Sequence, residues 1–177
     1  METGVIIPSR LLPKTGQTIE KRAGDDGTYE VGWWKGLSLA ANKERFILKT
    51  IDTREVVIDN ATGLMWAANG NHEGCNNGGS GNWNNLIDYA NGLTFCGFSD
   101  WRMPNVNELF SIMNKSIVSP PIPEPPFSNI TVGNHWTSTT PANDNSKAFI
   151  SQFIAGQIIA FAKGATSGHL ICVRGGV

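Results

Sequence analysis

Five of the seven residues at 120–126 are proline. A proline has no backbone N–H and a fixed φ, so neither a helix interior nor a central strand can cross this stretch. The chain is therefore built as two patterned parts joined by an extended connector. The run reads as that connector rather than as a partner-recognition motif, although a PxxP spacing is present. The part before it carries two helix signatures. Trp83, Leu86, Ile87 and Ala90 fall at i, i+3, i+4 and i+7, with Asn82 placed as N-cap and Gly92 as the stop. Val106, Leu109, Phe110 and Met113 repeat the spacing, and Asn105 with Glu108 makes a capping-box pair. The part after it reads as β: a short strand at 135–140, a hairpin at 148–154 and 157–163 turning at Ala155-Gly156, and a last strand at 169–174. Strand-like runs at 46–51, 55–58 and 64–67, with a turn at 59–63, precede the helices. Short strands, two amphipathic helices and then a sheet make an α+β domain.

Residues 1–44 read as a lead-in dense in turn signals, with Trp33 and Trp34 expected to pack on the domain formed by 45–177. Residues 69–82, rich in Asn and Gly, are expected to form a long surface loop. Charged residues make up only 16% of the chain, so solubility falls to uncharged polar groups, among them 17 Asn. The net charge of −1 comes without clustered Lys or Arg, which argues against nucleic acid as a partner. No run approaches the ~20 apolar residues of a membrane span, and the first residues lack the pattern of a signal peptide.

Chemistry is sparsely signalled. The nucleophile motif GxSxG and the phosphate-binding loops are missing, and His72-x-x-Cys75 is the one close metal-type pair. No metal and no cofactor are expected. Cys75, Cys96 and Cys172 are an odd number without a CxxC; Cys96 and Cys172 read as small buried hydrophobes. The stretch 99–104 places Asp100 and Arg102 around Trp101, either as a clamp for an anion or sugar or as an internal network around a core tryptophan. In 157–162, apolar residues occupy both faces. If Gln157, Ile159 and Phe161 point outward they form an interaction patch; otherwise the lead-in or a second subunit covers them.

Several segments taken in order resemble the Lcl C-terminal domain family. They are Asp59-Asn60-Ala61-Thr62-Gly63-Leu64-Met65-Trp66; Trp83 with Tyr89-Ala90-Asn91; Gly97-Phe98-Ser99-Asp100-Trp101-Arg102-Met103-Pro104-Asn105 with Glu108-Leu109; Trp136-Thr137-Ser138; and Cys172-Val173-Arg174-Gly175. The resemblance covers roughly 45–176. It implies a C-type lectin-like fold with two amphipathic helices and a small, mainly antiparallel twisted sheet. It also implies a ligand-binding module rather than an enzyme, like the variable proteins of diversity-generating retroelements or an adhesin. The expected function is receptor or ligand binding at a virion or cell surface, toward a protein or glycan, with homo-oligomers allowed and no membrane insertion. The alternatives are a polysaccharide-binding adhesin, with Lys147, Lys163 and Arg174 as the local basic residues, and an oxidase of the formylglycine-generating type. By placement between the frame residues, the expected ligand-binding positions are His135, Thr140, Asn143, Asn145, Phe149, Gln157, Ile159, Phe161 and His169.

Overall fold

The computed structural model describes residues 12–13, 15–29, 45–117, 121–122 and 125–175. Trp33 and Trp34 lie outside these residues. In chain order the helices are α1 (Asp26–Tyr29), α2 (Trp83–Asn91) and α3 (Val106–Ser111). The strands are β1 (Phe46–Ile51), β2 (Arg54–Asp59), β3 (Leu64–Ala67), β4 (Asn134–Trp136), β5 (Lys147–Gln152), β6 (Gln157–Ala162), β7 (Gly168–His169) and β8 (Val173–Arg174). They form two four-stranded sheets, ordered β1-β2-β3-β8 and β6-β5-β4-β7. All pairings are antiparallel except β4 with β7. The architecture is α+β.

Both helices form where caps and periodicity put them. The Asn82 side chain accepts from the Asn85 N–H, and Gly92 ends α2. The Asn105 side chain accepts from the Glu108 N–H while Glu108 reaches back to the Asn105 N–H, closing a capping box. Leu86, Ala90 and Leu109 turn inward. The core is centred on Trp66, Trp101 and Trp136, all fully buried.

Between β2 and β3 the turn is built on a charge. Asp59 accepts from the Ala61 N–H and the Thr62 hydroxyl, both at 2.9 Å. Arg45 grips the same carboxylate through Nε and Nη2, each at 2.8 Å, and reaches the Ser111 carbonyl at 3.0 Å. Both side chains are essentially solvent-free. A buried ion pair of this kind survives only with its remaining hydrogen bonds satisfied, as here.

Two expectations need correction. The stretch 169–174 is not one strand: β7 and β8 belong to different sheets, and the fully buried Leu170, Ile171 and Cys172 carry the chain between them. Consecutive apolar residues without alternation are the mark of that crossing. Nor is 69–82 simply a surface loop. Gly70, Gly74 and Cys75 are buried, and Glu73–Gly78 winds as 3₁₀ turns, with Asn76 and Asn77 at φ +51°. The Gly74 carbonyl accepts from the Cys172 N–H at 2.9 Å. A Cβ on Gly74 would lie 2.5 Å from that of Ala67, so glycine here lets the loop lie flat on β3.

The described part of the lead-in is tied to the segment after α3. The Lys115 N–H donates to Thr15 O at 2.8 Å and the Ser116 hydroxyl to Gly16 O at 2.5 Å. Pro121 and Ile122 are buried beside it.

Candidate ligand-binding face

Residues directly opposite in paired strands share a face of the sheet. On one face of the second sheet Trp136 stands by Ile150 and Ile150 by Ile159, with Ala148 beside Phe161. The entry to α2 covers this face. Trp136 Nε1 donates to the Gly81 carbonyl at 3.0 Å, the Gly81 N–H to Gly168 O at 2.9 Å, and the Trp83 N–H to Lys163 O at 3.0 Å. Ile159 and Phe161 therefore point inward, half-buried against the core, with the Phe161 ring 5.8 Å from that of Trp136. The outward orientation considered for this pair is not what the structure has.

The opposite face carries His135 beside Ser151, Ser151 beside Ile158, Phe149 beside Ala160, and Lys147 beside Ala162. Toward β4 the face is sealed: the Ser151 hydroxyl donates to the Met113 sulfur at 3.0 Å, just after α3. Toward β6 it opens. Phe149 and Ile158 are half-buried, while Ala160 and Ala162 are exposed.

The loop from β4 to β5 leads into the strand that bears Phe149, with Thr140 half-buried and Asn143 and Asn145 exposed. Its base is pinned on both sides. The Ser138 N–H donates to Pro104 O at 2.8 Å, the Phe149 N–H to Thr139 O at 2.9 Å, and the Val106 N–H to the Thr139 hydroxyl at 3.1 Å. At its tip Asp144 accepts from the Ser146 hydroxyl at 2.6 Å and pairs with Lys147 at 3.0 Å. These contacts hold its carboxyl down at about 2. On the Trp136-bearing face, at the hairpin end, an amide chain runs across three strands: Gln157 donates to Gln152 at 2.9 Å and Gln152 to Asn134 at 3.2 Å.

A family model, that of the Lcl C-terminal domain, matches residues 55–174. The match runs from β2 to β8 and takes in the open face and every strand except β1. The chain belongs to the Lcl C-terminal domain family. A comparison with curated proteins finds no match. In this Lcl C-terminal domain the matched span leaves out Arg45, the buried partner of Asp59.

The nine expected positions of the Lcl domain thus divide. Phe149 stands on the open face, Thr140, Asn143 and Asn145 lie in the loop that leads to it, and Gln157 is exposed on the other face at the hairpin end. Ile159 and Phe161 face the core. His135 is fully buried, its ring stacked on Phe153 at 4.1 Å, so it displays nothing. Burial, and then the charge of His169, hold its imidazole down at about 3. His169 is half-buried with its ring 5.6 Å from His135. Both histidines line a cavity of about 10 Å³ with Cys75, room for about one water molecule and no ligand. Lys147, named above only as a basic residue for the adhesin alternative, also stands on the open face, as do Ile158, Ala160 and Ala162, which were not among the nine. The apolar run 157–162 reads the same in either register, so only the pairing with β5 separates its faces.

The Asp100–Arg102 stretch is an internal network, but the two residues pair elsewhere. Arg174 grips Asp100 at 2.7 and 3.0 Å, and Arg102 grips Glu108 at 2.8 and 2.6 Å. Trp101 between them is buried and donates to the Phe95 carbonyl at 2.9 Å. The three basic candidates for a polyanion are each engaged: Lys147 with Asp144, Lys163 over the Trp83 ring at 4.2 Å, and Arg174 with Asp100. All three cysteines are free and buried, and burial pushes the Cys75 thiol up to about 12. Among the described residues no three His, Cys, Asp or Glu side chains converge as a metal site.

Proposed function

We propose that this domain is a non-catalytic recognition module of C-type lectin-like architecture. Its ligand rests on the open face of the β5–β6 hairpin and the β4–β5 loop. The contacts come from Thr140, Asn143, Asn145, Lys147, Phe149 and Ala160. The observation that carries the reading is a division of labour. Trp66, Trp101, Trp136, Arg45, Asp59 and His135 are sealed inside the frame, whereas the face and the loop pinned beside it carry aromatic, small and amide groups. A rigid platform lowers the ordering cost of binding, and a central aromatic such as Phe149 supplies the apolar anchor. Burial of all three thiols favours binding over a thiol-based oxidase.

Such a face suits a display protein of a virion or cell surface that recognises a protein or glycan receptor. Diversification by a retroelement would put substitutions at these codons, because that mutagenesis acts on template adenines. A near-copy of the 3′ end differing at adenines, beside a reverse transcriptase, is the expected genomic sign; a locus with neither removes the retroelement from the reading. A polysaccharide adhesin is the second reading. The exposed Asn143 and Asn145 favour it, as amides present donors and acceptors to sugar hydroxyls.

The test uses the full chain on a glycan array and on a panel of whole cells. Asn143→Arg and Asn145→Arg should each weaken the signal at least tenfold. As exposed loop changes they should move stability by no more than about 0.5 kcal/mol. Binding that survives both substitutions overturns the assignment of the face.

A further inference from the structure

The second sheet ends at β6, and the hydrogen-bond phase shows which of its backbone groups are left over. The Phe149 N–H and carbonyl bond to Thr139 and Thr137, and the Phe153 N–H bonds to Gly133, so odd-numbered residues of β5 address β4. The Lys163 N–H donates to the Ser146 carbonyl at 2.9 Å, so even-numbered residues address β6. In an antiparallel ladder the pairs Ala148 with Phe161, Ile150 with Ile159 and Gln152 with Gln157 then exchange bonds. Ile158, Ala160 and Ala162 aim their N–H and carbonyl groups off the sheet. Among the described residues only the Ala162 carbonyl has a partner there, the Ala165 N–H at 3.0 Å.

Sheet edges are normally guarded by a charge, a proline, a bulge or a covering segment. The other strands at the ends of the two sheets have such devices. β1 carries Lys49 at mid-strand, β7 is bridged by Gly81, and β8 is bridged by Arg102. β6 reads Gln-Ile-Ile-Ala-Phe-Ala, with no charge, no proline and no bulge in its register. Its edge residues include the exposed Ala160 and Ala162, whose side chains are too small to fend off a neighbour.

We infer that β6 is a self-association edge, pairing antiparallel with β6 of a second copy about a two-fold axis at Ala160. In that register each Ala160 faces its own counterpart and exchanges both hydrogen bonds with it. Ile158 lies opposite Ala162, whose carbonyl already accepts from the Ala165 N–H, so the bonds at Ala160 and the free Ala162 N–H carry the pairing. Gln157 lies opposite Lys163, so no like charges meet. An uncharged strand with the small Ala160 on the axis lets a second copy approach without repulsion. Pairing makes one eight-stranded sheet and brings the two open faces side by side on it.

Sedimentation equilibrium of the full chain over a dilution series tests this. Wild type should show a reversible monomer–dimer equilibrium. Ala160→Lys and Ala160→Glu place like charges across the axis, and each should weaken the dimer at least tenfold. An equimolar mixture of the two should restore it. Ala160→Pro removes an edge N–H that β5 does not use, and should abolish the dimer with the circular dichroism unchanged. A chain that stays monomeric throughout, including one that pairs only with an added extended peptide, overturns the inference. So does a dimer indifferent to these variants, or a mixture that fails to re-associate. Because the readout is self-association, it stands or falls apart from ligand binding.

Discussion

Gly168 marks how closely single residues are fitted. A Cβ there would sit 2.1 Å from Trp136 Nε1, the atom that donates to the Gly81 carbonyl. Gly168→Ala should therefore destabilise the fold by about 1–3 kcal/mol in chemical denaturation, the usual range for overpacking. Removing one partner of the sealed Arg45–Asp59 pair should cost more, with Asp59→Ala losing about 3–5 kcal/mol because a buried guanidinium is left uncompensated. His135 makes a pH prediction. Its folded pKa is depressed from 6.5 to about 3, so the unfolded chain binds the proton first. The stability this contributes is complete above pH 6.5 and falls away as the pH drops through 6.5 toward 3. Glu73, held down at about 2 from 4.5 chiefly by its hydrogen bond from Arg54, contributes its own loss only below 4.5. Denaturation curves between pH 6.5 and 4.5 should therefore slope downward with acid in wild type and flatten in His135→Phe, which keeps a ring against Phe153.

Elements whose signals are local were legible in the chain. The caps of α2 and α3 are satisfied by side chains within three residues, and β1 and β3 begin and end where their runs do. Asn105→Ala should accordingly cost about 1 kcal/mol of thermal or denaturant stability, an N-cap's usual worth. Elements whose limits depend on distant partners were not legible. β7 and β8 are two residues each and exist only because β4 and β3 stand beside them. The 3₁₀ turns after His72 are held by Tyr89 and Cys172, from two other parts of the chain. No local composition announces either.

At the scale of the whole molecule, the α+β class and the family followed from motif order, whereas the face of the site followed from register. One residue of slip exchanges Phe149 and Ala160 for Ile150 and Ile159, and a stretch apolar at both parities holds no record of the choice. That is why the chain alone did not separate Phe149, on the open face, from Ile159 and Phe161, which face the core. The loop between β4 and β5 has a further consequence. Its two ends are fastened to Pro104, Val106 and Phe149, so what lies between them is mechanically isolated from the tryptophan core. Lengthening a tethered surface excursion costs only about 0.6 kcal/mol per doubling. A ten-residue epitope spliced in after Asn143 should leave the melting temperature nearly unchanged, as calorimetry would record, and would make this domain a ready carrier for grafted peptides.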